Sequence, residues 1–543
     1  MNNRKADNRI FLLLFAVLAA AGAALRFFRF GMVPAGLNQD EASIGYDAYC
    51  LATWGMDRNG YHWPVYPISW GSGGGSPLLD YLVTLSTALF GKNIYSLRLV
   101  PALLGSLTPP LLALLPFAVP QNAEQNSEAS GSLRQFFSLA ILFPAVVNPW
   151  HLMMSRWTLD ANILPFFLTL SVLSFLHAAA STVRRLPKYL LSAFCFALCT
   201  WSYGSATLVV PLALVLIGIC CVRNGRMTLR ELFLSALIFV LTLSPLILFF
   251  AVNLSGRGPI ETPWFSVPVL TASRSVFSSG SELLSLILNN IRYLIIFFTV
   301  GAERDELYCN VLPGFAQMYR FTFPLTLGGI FLSVRRMQKK HPEDTIFVIL
   351  TGCTAVFSLF IELDINRMTM LLVPFLYFQA LALQALWQKK KAAAAAVCAL
   401  ILCGALLFTH DYFGERYREL ACSDGFFMPG YAEAAQAAAA TAGDGKQIVS
   451  TYTRVAAPFV VALYATGTPP EEFRDTVVWK DETAEFRIAS AFSDFVFGLP
   501  EDLSGIDLDR QVLILHQSEL DGFPGIEAAE ITAYGDFALV RKP

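Results

Sequence analysis

The chain has 543 residues, of which 55% are hydrophobic and 15% are charged, and its formal net charge at pH 7 is −2. Soluble domains carry about 25% charged residues, so this composition excludes an ordinary soluble protein and is typical of a polytopic membrane protein surrounded by lipid. The small net charge argues against nucleic acid as a partner.

The first apolar segment, Ile10 to Leu25, predicts a retained transmembrane helix. It is longer than the apolar core of a cleavable signal peptide. Residues 26–30 (RFFRF) follow it, where a signal peptide would have small residues before the cleavage site. The segment is therefore the first of the predicted spans.

The first loop opens with the acidic pair Asp40-Glu41. Carboxylates next to a bilayer are costly unless they are hydrated, paired or used. One interpretation is structural, with Asn38 or Asp40 capping a helix over residues 41–53. The other is catalytic, and the two are compatible because a cap also fixes a carboxylate in place. In such a helix Asp47 lies seven residues after Asp40, on the same face.

The same loop is dense in aromatic residues, which are Tyr46, Tyr49, Trp54, Tyr61, Trp63, Tyr66 and Trp70. They fit an interfacial aromatic belt, and some of them fit stacking on a sugar or lining a lipid groove. Residues 71–75 (GSGGG) lack the strand, lysine and helix of a phosphate-binding loop. We therefore predict no nucleotide site there.

Apolar runs of about 15–25 residues, long enough to cross a bilayer, recur along the chain and predict about eleven spans. They cover residues 10–28, 97–119, 134–149, 162–180, 189–203, 205–222, 229–253, 321–334, 344–361, 368–387 and 392–409. Leu78–Phe90 and Leu283–Phe298 are also apolar. We expect these two stretches to lie in the outer interface, because crossing at either would put the later basic loops on the wrong side.

Lysine and arginine residues in alternate connections predict the orientation of these spans. The basic connections are the amino terminus, with Arg4, Lys5 and Arg9, and the loops that carry Arg134, Arg184, Arg223, Arg335 and Lys389. The amino terminus is then cytoplasmic. Loops 31–96, 150–161, 254–320 and 362–367 and the carboxyl-terminal residues 410–543 lie outside the cell membrane.

Two outside loops contain arginines that are candidate ligands. Arg156 and Asp160 lie four residues apart, which predicts either a local ion pair or a contact with substrate. Arg367 begins a span, and Arg98 lies at the mouth of another. A guanidinium at the membrane surface can bind a phosphate with two hydrogen bonds. The alternative is an anchoring arginine paired with an acid, which for Arg367 is Glu362 or Asp364.

Residues 410–543 have the composition of a soluble domain and predict a small α/β fold of about 130 residues. The predicted elements are a helix over Tyr431–Ala442 and strands at 447–452, 512–515, 528–532 and 537–540. The membrane domain is then 1–409.

The ten cysteines do not form the pattern of a disulfide framework. Seven of them lie in apolar runs, where a free cysteine behaves as a small hydrophobic residue. Only Cys50, Cys309 and Cys422 fall in predicted outside regions. The sequence leaves open whether two of these three cysteines form a disulfide bond.

Four short segments of the sequence, which are called pieces below, together resemble the GT-C superfamily of polyprenyl-phosphate-dependent glycosyltransferases in their order along the chain. The resemblance is greatest to the protein O-mannosyltransferase group, glycosyltransferase family 39 and its bacterial relatives, which include the aminoarabinose lipid A transferases. The pieces are Asp40-Glu41, residues 76–101 (from SPLLDYL to LRLVP), residues 155–160 (SRWTLD) and residues 366–374 (from NR to LVP). The likeness covers roughly residues 8–410.

The resemblance implies a GT-C fold and transfer of a hexosyl or pentosyl group from a polyprenyl-phosphate donor, with inversion. Asp40 would be the base that takes the proton from an acceptor hydroxyl, and Glu41 would orient it or bind the acceptor. Arg367 and Arg98 would bind the donor phosphate. Arg156, Asp160, Asp47 and Tyr46 would contact substrate or support the site. No metal or cofactor is expected.

One departure concerns the residues before Pro77, where many relatives have a lysine and this chain has Gly74-Gly75-Ser76. Arg367 or another residue must then supply the missing cation. The acceptor, which is a protein, a cell-wall polymer or a glycolipid, is left open by the sequence.

The main alternative is a polytopic transporter or flippase of a lipid-linked saccharide. Transporters place ionisable groups near the middle of the bilayer and often contain inverted repeats. In this sequence the charges cluster at the ends of the predicted spans, and the two halves do not match. The pattern therefore favours an enzyme.

Overall fold

The structure is a computed structural model that describes residues 2–119, 128–272, 282–301, 308–423, 425–443, 445–500, 506–523 and 526–543. It is mostly helical, and a mixed β-sheet lies near the carboxyl terminus. The helices before residue 414 are α1 (Asn2–Phe27), α2 (Gln39–Trp54), α3 (Pro77–Phe90), α4 (Ile94–Leu112), α5 (Leu115–Ala118), α6 (Glu128–Val147), α7 (Pro149–Met154), α8 (Leu164–Ala180), α9 (Arg185–Ser202), α10 (Gly204–Arg223), α11 (Leu229–Leu254), α12 (Glu282–Thr299), α13 (Phe323–Gln338), α14 (Pro342–Leu359), α15 (Leu372–Lys389) and α16 (Lys391–Phe413).

The predicted span 97–119 covers α4 and α5, and each of the other predicted spans coincides with one helix, in some cases extended by a short 3₁₀ turn. The 3₁₀ turns are Asp160–Ile163, Arg320–Thr322 and Asn366–Leu371. In the described part of the chain, 7 helical segments are long and apolar enough to cross a membrane. The chain is a multi-pass membrane protein, and the count of eleven crossings stays a prediction. The two stretches expected to lie in the interface are α3 and α12.

The exposure of the helices fits a bundle in lipid. The candidate span that contains α15 is 83% buried along its most apolar window, whereas α1 is 11% buried and α16 is 22% buried. The enclosed helix α15 packs on α6 and α13. The exposed helices are rich in leucine, isoleucine and alanine, and a helix satisfies its own backbone hydrogen bonds, so such surfaces can face hydrocarbon.

Helix α2 lies near the start of residues 31–96, the first of the loops that the sequence predicts to be outside, and it is fixed by its amino-terminal cap. The Asn38 side chain accepts a hydrogen bond from the backbone N–H of Asp40 at 2.8 Å. In return, Glu41 accepts one from the backbone N–H of Asn38 at 3.2 Å. This capping box selects Asn38 from the two predicted caps. The helix begins at Gln39, two residues before the predicted start, and packs on α3.

The strands lie in the third outside loop and after residue 446. They are β1 (Ile260–Glu261), β2 (Ser266–Val267), β3 (Gln447–Ser450), β4 (Val478–Trp479), β5 (Ala489–Phe492), β6 (Phe495–Phe497), β7 (Gln511–His516), β8 (Glu530–Tyr534) and β9 (Phe537–Arg541). The seven later strands form one sheet in the order β4-β5-β6-β3-β7-β9-β8. Strand β3 runs parallel to both of its neighbours, and the other pairs are antiparallel.

The carboxyl-terminal helices are α17 (Glu415–Ser423), α18 (Tyr431–Ala442), α19 (Pro458–Thr466) and α20 (Pro470–Thr476). Helix α18 has the predicted bounds, and the four predicted strands correspond to β3, β7, β8 and β9. The three strands β4, β5 and β6 were not predicted, because two to four residues are too few to show an alternating pattern.

The carboxyl-terminal region is docked on the first outside loop. Helix α19 packs on α2. The Lys92 ammonium donates a hydrogen bond to the carbonyl of Ala465 at 2.8 Å, and it lies 5.1 Å from the centre of the Tyr49 ring. A two-residue bridge also pairs Leu37 with Met428. The last helix of the membrane region, α16, continues to Phe413, four residues past the predicted boundary.

The structure also answers the question about a disulfide. Cys50 and Cys422 are both free and buried thiols. Every bridge within the set Cys50, Cys309 and Cys422 requires one of these two, so none forms.

Candidate active site

A cavity of about 600 Å³ opens beside the first turn of α2. Its walls come from α2, the glycine-rich segment 71–75, the 3₁₀ turn after residue 159, the start of α10 and the connection between α14 and α15. Its ionisable lining residues include Asp40, Asp160, Asp364 and Arg367. Three of the predicted site residues, Asp40, Asp160 and Arg367, therefore meet in one place.

Asp40 is the carboxylate that is best placed for proton transfer. It is half-buried, and no side chain in the described part of the chain donates a hydrogen bond to its carboxylate. Burial, and then the neighbouring charges of Asp160 and Glu41, raise the pKa of Asp40 to about 7. A carboxylate with this pKa and unused lone pairs can accept a proton from a hydroxyl near neutral pH.

Asp160 lines the same cavity and is held by Ser76, the residue before α3. The hydroxyl of Ser76 donates a hydrogen bond to Asp160 Oδ2 at 2.9 Å, and the backbone N–H of Ser76 donates to the same oxygen at 3.2 Å. The backbone N–H of Ala161 donates to Oδ1 at 2.8 Å. Asp160 is thus fixed and remains available to a ligand in the cavity.

Arg367 lines the cavity where α14 ends and α15 is about to begin. Its Nε atom lies 3.0 Å from Asp364 Oδ2, and its backbone N–H donates to Asp364 Oδ1 at 2.9 Å. The guanidinium is held in place by this pair and still borders the cavity, so the anchoring interpretation and the ligand interpretation are both compatible with the geometry. A fixed guanidinium beside a carboxylate-lined cavity can bind a phosphate.

Glu41 and Arg98 form a buried ion pair and do not line the cavity. Arg98 Nε donates to Glu41 Oε1 at 2.8 Å, and Arg98 Nη2 donates to Glu41 Oε2 at 2.7 Å. Both side chains are 0% exposed. The backbone N–H of Thr158 also donates to Glu41 Oε1, at 2.8 Å. Glu41 therefore joins α2, α4 and the second outside loop, directly beside Asp40.

The remaining donors of Arg98 go to carbonyl groups of the segment before α2. Nη1 donates to Pro34 at 2.7 Å, and Nη2 donates to Gly36 at 2.6 Å. This placement differs from the expectation that Arg98 binds the donor phosphate, because the guanidinium is enclosed and its donors are used within the protein. Its neighbour Glu41 likewise has no free surface for an acceptor. Glu41 follows Asp40 directly in the chain, so the buried ion pair holds the backbone beside Asp40.

Solved structures share this architecture, although no protein-family model and no curated protein matches the sequence. Two crystal structures of ArnT from Cupriavidus metallidurans match this chain. Its apo form gives 0.55 at 11% identity over 98% of both chains, and its undecaprenyl-phosphate-bound form gives 0.52 at 11% identity over 98% of this chain and 97% of that one. The Archaeoglobus fulgidus oligosaccharyltransferase, in a complex with zinc and sulfate, matches with a TM-score of 0.52 at 14% identity over 83% of this chain.

The chain has the GT-C fold. The fold implied by the four sequence pieces is thereby confirmed. The chain spans 61% of the length of the archaeal oligosaccharyltransferase that it matches, and it spans almost the whole length of ArnT. At this level of identity the likeness establishes the fold and leaves the substrates to be argued from the site.

Within the GT-C fold, Arg156 takes a structural place apart from Asp160. Its guanidinium donates to carbonyl groups where α1 ends, which include Leu25 at 2.9 Å, Arg26 at 2.7 Å and Phe28 at 2.6 Å. The predicted ion pair between Arg156 and Asp160 is therefore wrong. The reason is that α7 ends at Met154, so the two side chains do not share a helical face.

Asp47 and Tyr46 also lie behind the cavity. Asp47 forms a buried, two-bond ion pair with Arg58, at 2.9 Å and 2.8 Å, and accepts a hydrogen bond from Ser69 at 3.0 Å. The hydroxyl of Tyr46 donates to the carbonyl of Thr468 at 2.8 Å, so it binds the carboxyl-terminal region. Neither residue lines the cavity. Ser69 does, and it connects Asp47 to the cavity surface.

Two buried ionisable residues near the cavity, Arg58 and Asp80, were not among the predicted site residues. For Arg58, the only feature of the sequence that could have indicated the ion pair is its position, eleven residues after Asp47 in the same predicted loop. Asp80 is the other, and it belongs to the second of the four pieces. It is 1% exposed, and neither carboxyl oxygen has a hydrogen-bond partner among the described residues. Burial, and then Asp47 and Asp160, raise the pKa of Asp80 well above its ordinary value.

An amide network connects three of the predicted outside loops. The indole N–H of Trp157 donates to Asn310 Oδ1 at 2.8 Å, and Asn310 Nδ2 donates to Asn366 Oδ1 at 2.8 Å. Asn366 precedes Arg367, and Trp157 lies three residues before Asp160. The network therefore fixes the spacing between the carboxylate wall and the guanidinium.

One group of possible metal ligands, His341, Glu343 and Asp344, occurs among the described residues. Arg336 binds both carboxylates, with Nε 2.7 Å from Asp344 and Nη2 2.8 Å from Glu343. The guanidinium binds both carboxylates, so this group forms an ion-pair cluster. It lies at the start of α14, whereas the cavity lies at the end of that helix.

Proposed function

We propose that this protein is a membrane glycosyltransferase that moves a sugar from a polyprenyl-phosphate donor to an acceptor hydroxyl. The observation that carries the proposal is the meeting of Asp40 and Arg367 in one cavity bordered by the ends of membrane helices. A proton acceptor and a phosphate ligand are the two groups that such a transfer requires.

The chemistry follows from the two groups. The hydroxyl oxygen of the acceptor attacks the anomeric carbon of the donor sugar, and Asp40 takes the hydroxyl proton. The bond from the anomeric carbon to the phosphate oxygen breaks, and its electron pair leaves with the phosphate. Arg367 stabilises the developing charge, so no acid is needed to protonate the leaving group. A single displacement of this kind inverts the anomeric centre.

The membrane side of the cavity suits a lipid-linked donor. Leu208 of α10, Phe357 of α14 and Ile361 line it near Arg367. An isoprenoid chain could then lie along these apolar residues while its phosphate reaches the guanidinium. One GT-C neighbour, ArnT, was crystallised with undecaprenyl phosphate, which supports a donor of this class.

The other expectations belong to this proposal. The enzyme would act on the outer face of the cell membrane, with a cytoplasmic amino terminus and residues 410–543 outside. It would use neither a metal nor another cofactor, and it would bind no nucleic acid. The sugar is open, and so is the choice between a protein, a cell-wall polymer and a glycolipid as acceptor.

The test uses the purified full-length protein in lipid nanodiscs with a radiolabelled polyprenyl-phosphate sugar. A transferase converts the donor to free polyprenyl phosphate and labels an acceptor in cell-envelope material, whereas a transporter or flippase releases no polyprenyl phosphate. Asp40→Asn should lower the rate by about 10²–10⁴-fold, the usual range for loss of a general base.

A matched control is Glu433→Gln, which removes an exposed carboxylate in the first turn of α18. It should transfer sugar at the normal rate. Equal thermal stability of the two variants and the unmodified protein would show that the Asp40→Asn effect is chemical. Near-normal transfer by Asp40→Asn would contradict the assignment of the base.

A further inference from the structure

We propose that the carboxyl-terminal region forms the acceptor-binding wall of the cavity, and that Trp70 and Phe486 hold a sugar ring of the acceptor. This proposal rests on the glycosyltransferase function proposed above and names the acceptor class as a carbohydrate. The wall is the segment 480–488, which connects β4 to β5. It is the part of the carboxyl-terminal region that reaches the cavity lining, through Phe486.

The segment 480–488 is seated on the glycine-rich turn of the first outside loop. The backbone N–H of Ser72 donates to the carbonyl of Glu485 at 2.9 Å. A Cβ atom at Gly71 would lie 2.2 Å from the carbonyl oxygen of Ala484, so only glycine permits this approach. The glycine-rich sequence, which does not fit a phosphate loop, thus has a role as a docking point between the two ends of the chain.

The third predicted outside loop also contacts Gly71. The backbone N–H groups of Thr271 and Ala272 donate to the carbonyl of Gly71 at 3.1 Å and 3.0 Å. Three segments that are distant in sequence therefore converge on Gly71. This fixes the segment 480–488 against the cavity by backbone contacts from two other loops.

Two aromatic rings face the cavity at this junction. The ring centres of Trp70 and Phe486 lie 6.1 Å apart with an interplanar angle of 59°. Trp70 is supported from behind by Phe459, whose ring centre lies 6.3 Å away at 83°. Phe486 keeps 47% of its surface exposed. An exposed phenylalanine on a cavity wall offers apolar surface to a ligand.

The surrounding polar groups fit a carbohydrate. The cavity also contains the hydroxyl-bearing side chains Ser43, Ser69 and Ser76. A sugar ring presents C–H groups on its faces and hydroxyl groups at its edge, so aromatic faces with nearby hydroxyls complement it. A serine or threonine side chain of a peptide has no apolar face of comparable area to cover both rings.

The location of the segment 480–488 indicates that it binds the acceptor and not the donor. Arg367, Leu208 and Phe357 border the cavity at the ends of membrane helices, where a lipid-linked donor enters. Phe486 comes from the segment between β4 and β5 of the carboxyl-terminal region, in which no described helix is a candidate span. An acceptor that approaches from the aqueous side would meet this wall first.

The experiment measures two reactions of the full-length protein in nanodiscs. One is transfer to acceptor fractions from the envelope of a strain that lacks the gene, separated into glycan polymer, glycolipid and deglycosylated protein. The other is the slow hydrolysis of the donor to free sugar without acceptor. Phe486→Ala should raise the KM for the acceptor by about three- to tenfold, a larger change than its effect on kcat. Phe486→Tyr keeps the ring and should restore the normal KM.

The control is Trp264→Ala, which removes an aromatic ring that is 80% exposed and lies outside the cavity. It should behave as the unmodified protein. Gly71→Ala is an independent second variant, because it displaces the segment 480–488 without altering either ring, and it should also raise the KM for the acceptor.

The possible results separate a failure of this acceptor proposal from a failure of the proposed glycosyltransferase function. Label in a glycan-bearing fraction, together with a raised acceptor KM for Phe486→Ala, supports the proposal. Label confined to deglycosylated protein overturns it, and so does an unchanged acceptor KM in both Phe486→Ala and Gly71→Ala. If the unmodified protein neither transfers nor hydrolyses the donor sugar, the glycosyltransferase function itself is overturned.

Discussion

At the scale of single residues, the environment of Asp40 raises the pKa of its carboxyl group. The carboxylate shares its cavity with Asp160 and has Glu41 directly behind it. Burial and these two negative charges raise the pKa of Asp40 to about 7. A group that must be ionised to act as a base loses function as the pH falls through its pKa.

The first prediction concerns pH. The value of kcat/KM should fall on the acidic side of about pH 7, where Asp40 becomes protonated. Because the Asp160 charge raises the pKa of Asp40, Asp160→Asn should lower that pKa and move the acidic limb to lower pH. The measurement is kcat/KM for sugar transfer at a series of pH values. An acidic limb at the same pH in both proteins would show that Asp160 does not act on the base.

The second prediction concerns the phosphate ligand. Arg367→Ala should lower kcat by about 100-fold, because it removes a donor to the charge that develops on the leaving phosphate. Arg367→Lys keeps the charge but loses the planar pair of N–H groups, and it should retain part of the rate. Single-turnover kinetics with the labelled donor separates binding from chemistry. A loss of thermal stability with normal single-turnover rates would assign Arg367 to anchoring alone.

At the scale of elements, helix α2 is fixed by interactions buried behind Asp40. The Glu41–Arg98 ion pair and the Asn38 cap hold its first turn, and the Asp47–Arg58 ion pair holds its second half. Breaking a buried ion pair leaves one charge without compensation, which costs more than losing both charges together.

The third prediction follows from this asymmetry. Glu41→Gln should destabilise the protein by about 3–5 kcal/mol, because Arg98 stays buried without a counter-charge. The double variant Glu41→Leu with Arg98→Met should recover much of the lost stability. Thermal unfolding in detergent gives the comparison. If the double variant were as unstable as the single one, the pair would act through the shape of its hydrogen bonds and not through charge balance.

Sequence patterns predicted the elements better than the contacts between them. The apolar runs located the helices because the thickness of the bilayer fixes their length, and the alanine-rich run located α18 with its correct bounds. The Arg98–Glu41 pair joins residues 57 positions apart, so no local spacing indicates it. For the same reason, sequence placed Asp40 and Arg367 as candidates without showing that they share a cavity, and it gave no sign of Phe486.

At the scale of the whole molecule, the carboxyl-terminal region is part of the site and not an appended module. It packs α19 on α2, binds the hydroxyl of Tyr46 through Thr468 and supplies Phe486 to the cavity. Lys92 strengthens this docking with hydrogen bonds to the carbonyls of Tyr464 and Ala465, at the end of α19. The membrane region and the sheet therefore support one another.

The fourth prediction tests this docking. Lys92→Met keeps the apolar stem but removes the hydrogen bonds to the α19 carbonyls, and should lower stability by about 1–3 kcal/mol. Lys92→Arg keeps the donors and should be closer to the unmodified protein. Limited proteolysis of residues 410–543, with thermal unfolding, checks both variants. If Lys92→Met were as protected as the unmodified protein, the apolar contacts between α19 and α2 would be sufficient on their own.

The convergence of both chain ends on one cavity has a consequence during biosynthesis. Asp40 and Phe486 are roughly 450 residues apart, and ribosomes add about 5–20 residues per second, so about 20–90 s separate their synthesis. During that interval a growing chain already inserted in the membrane holds Asp40, the proposed base, but lacks the wall that Phe486 completes. Such an unfinished chain would not consume the lipid-linked sugar pool productively, and activity would begin only after translation has passed the sheet.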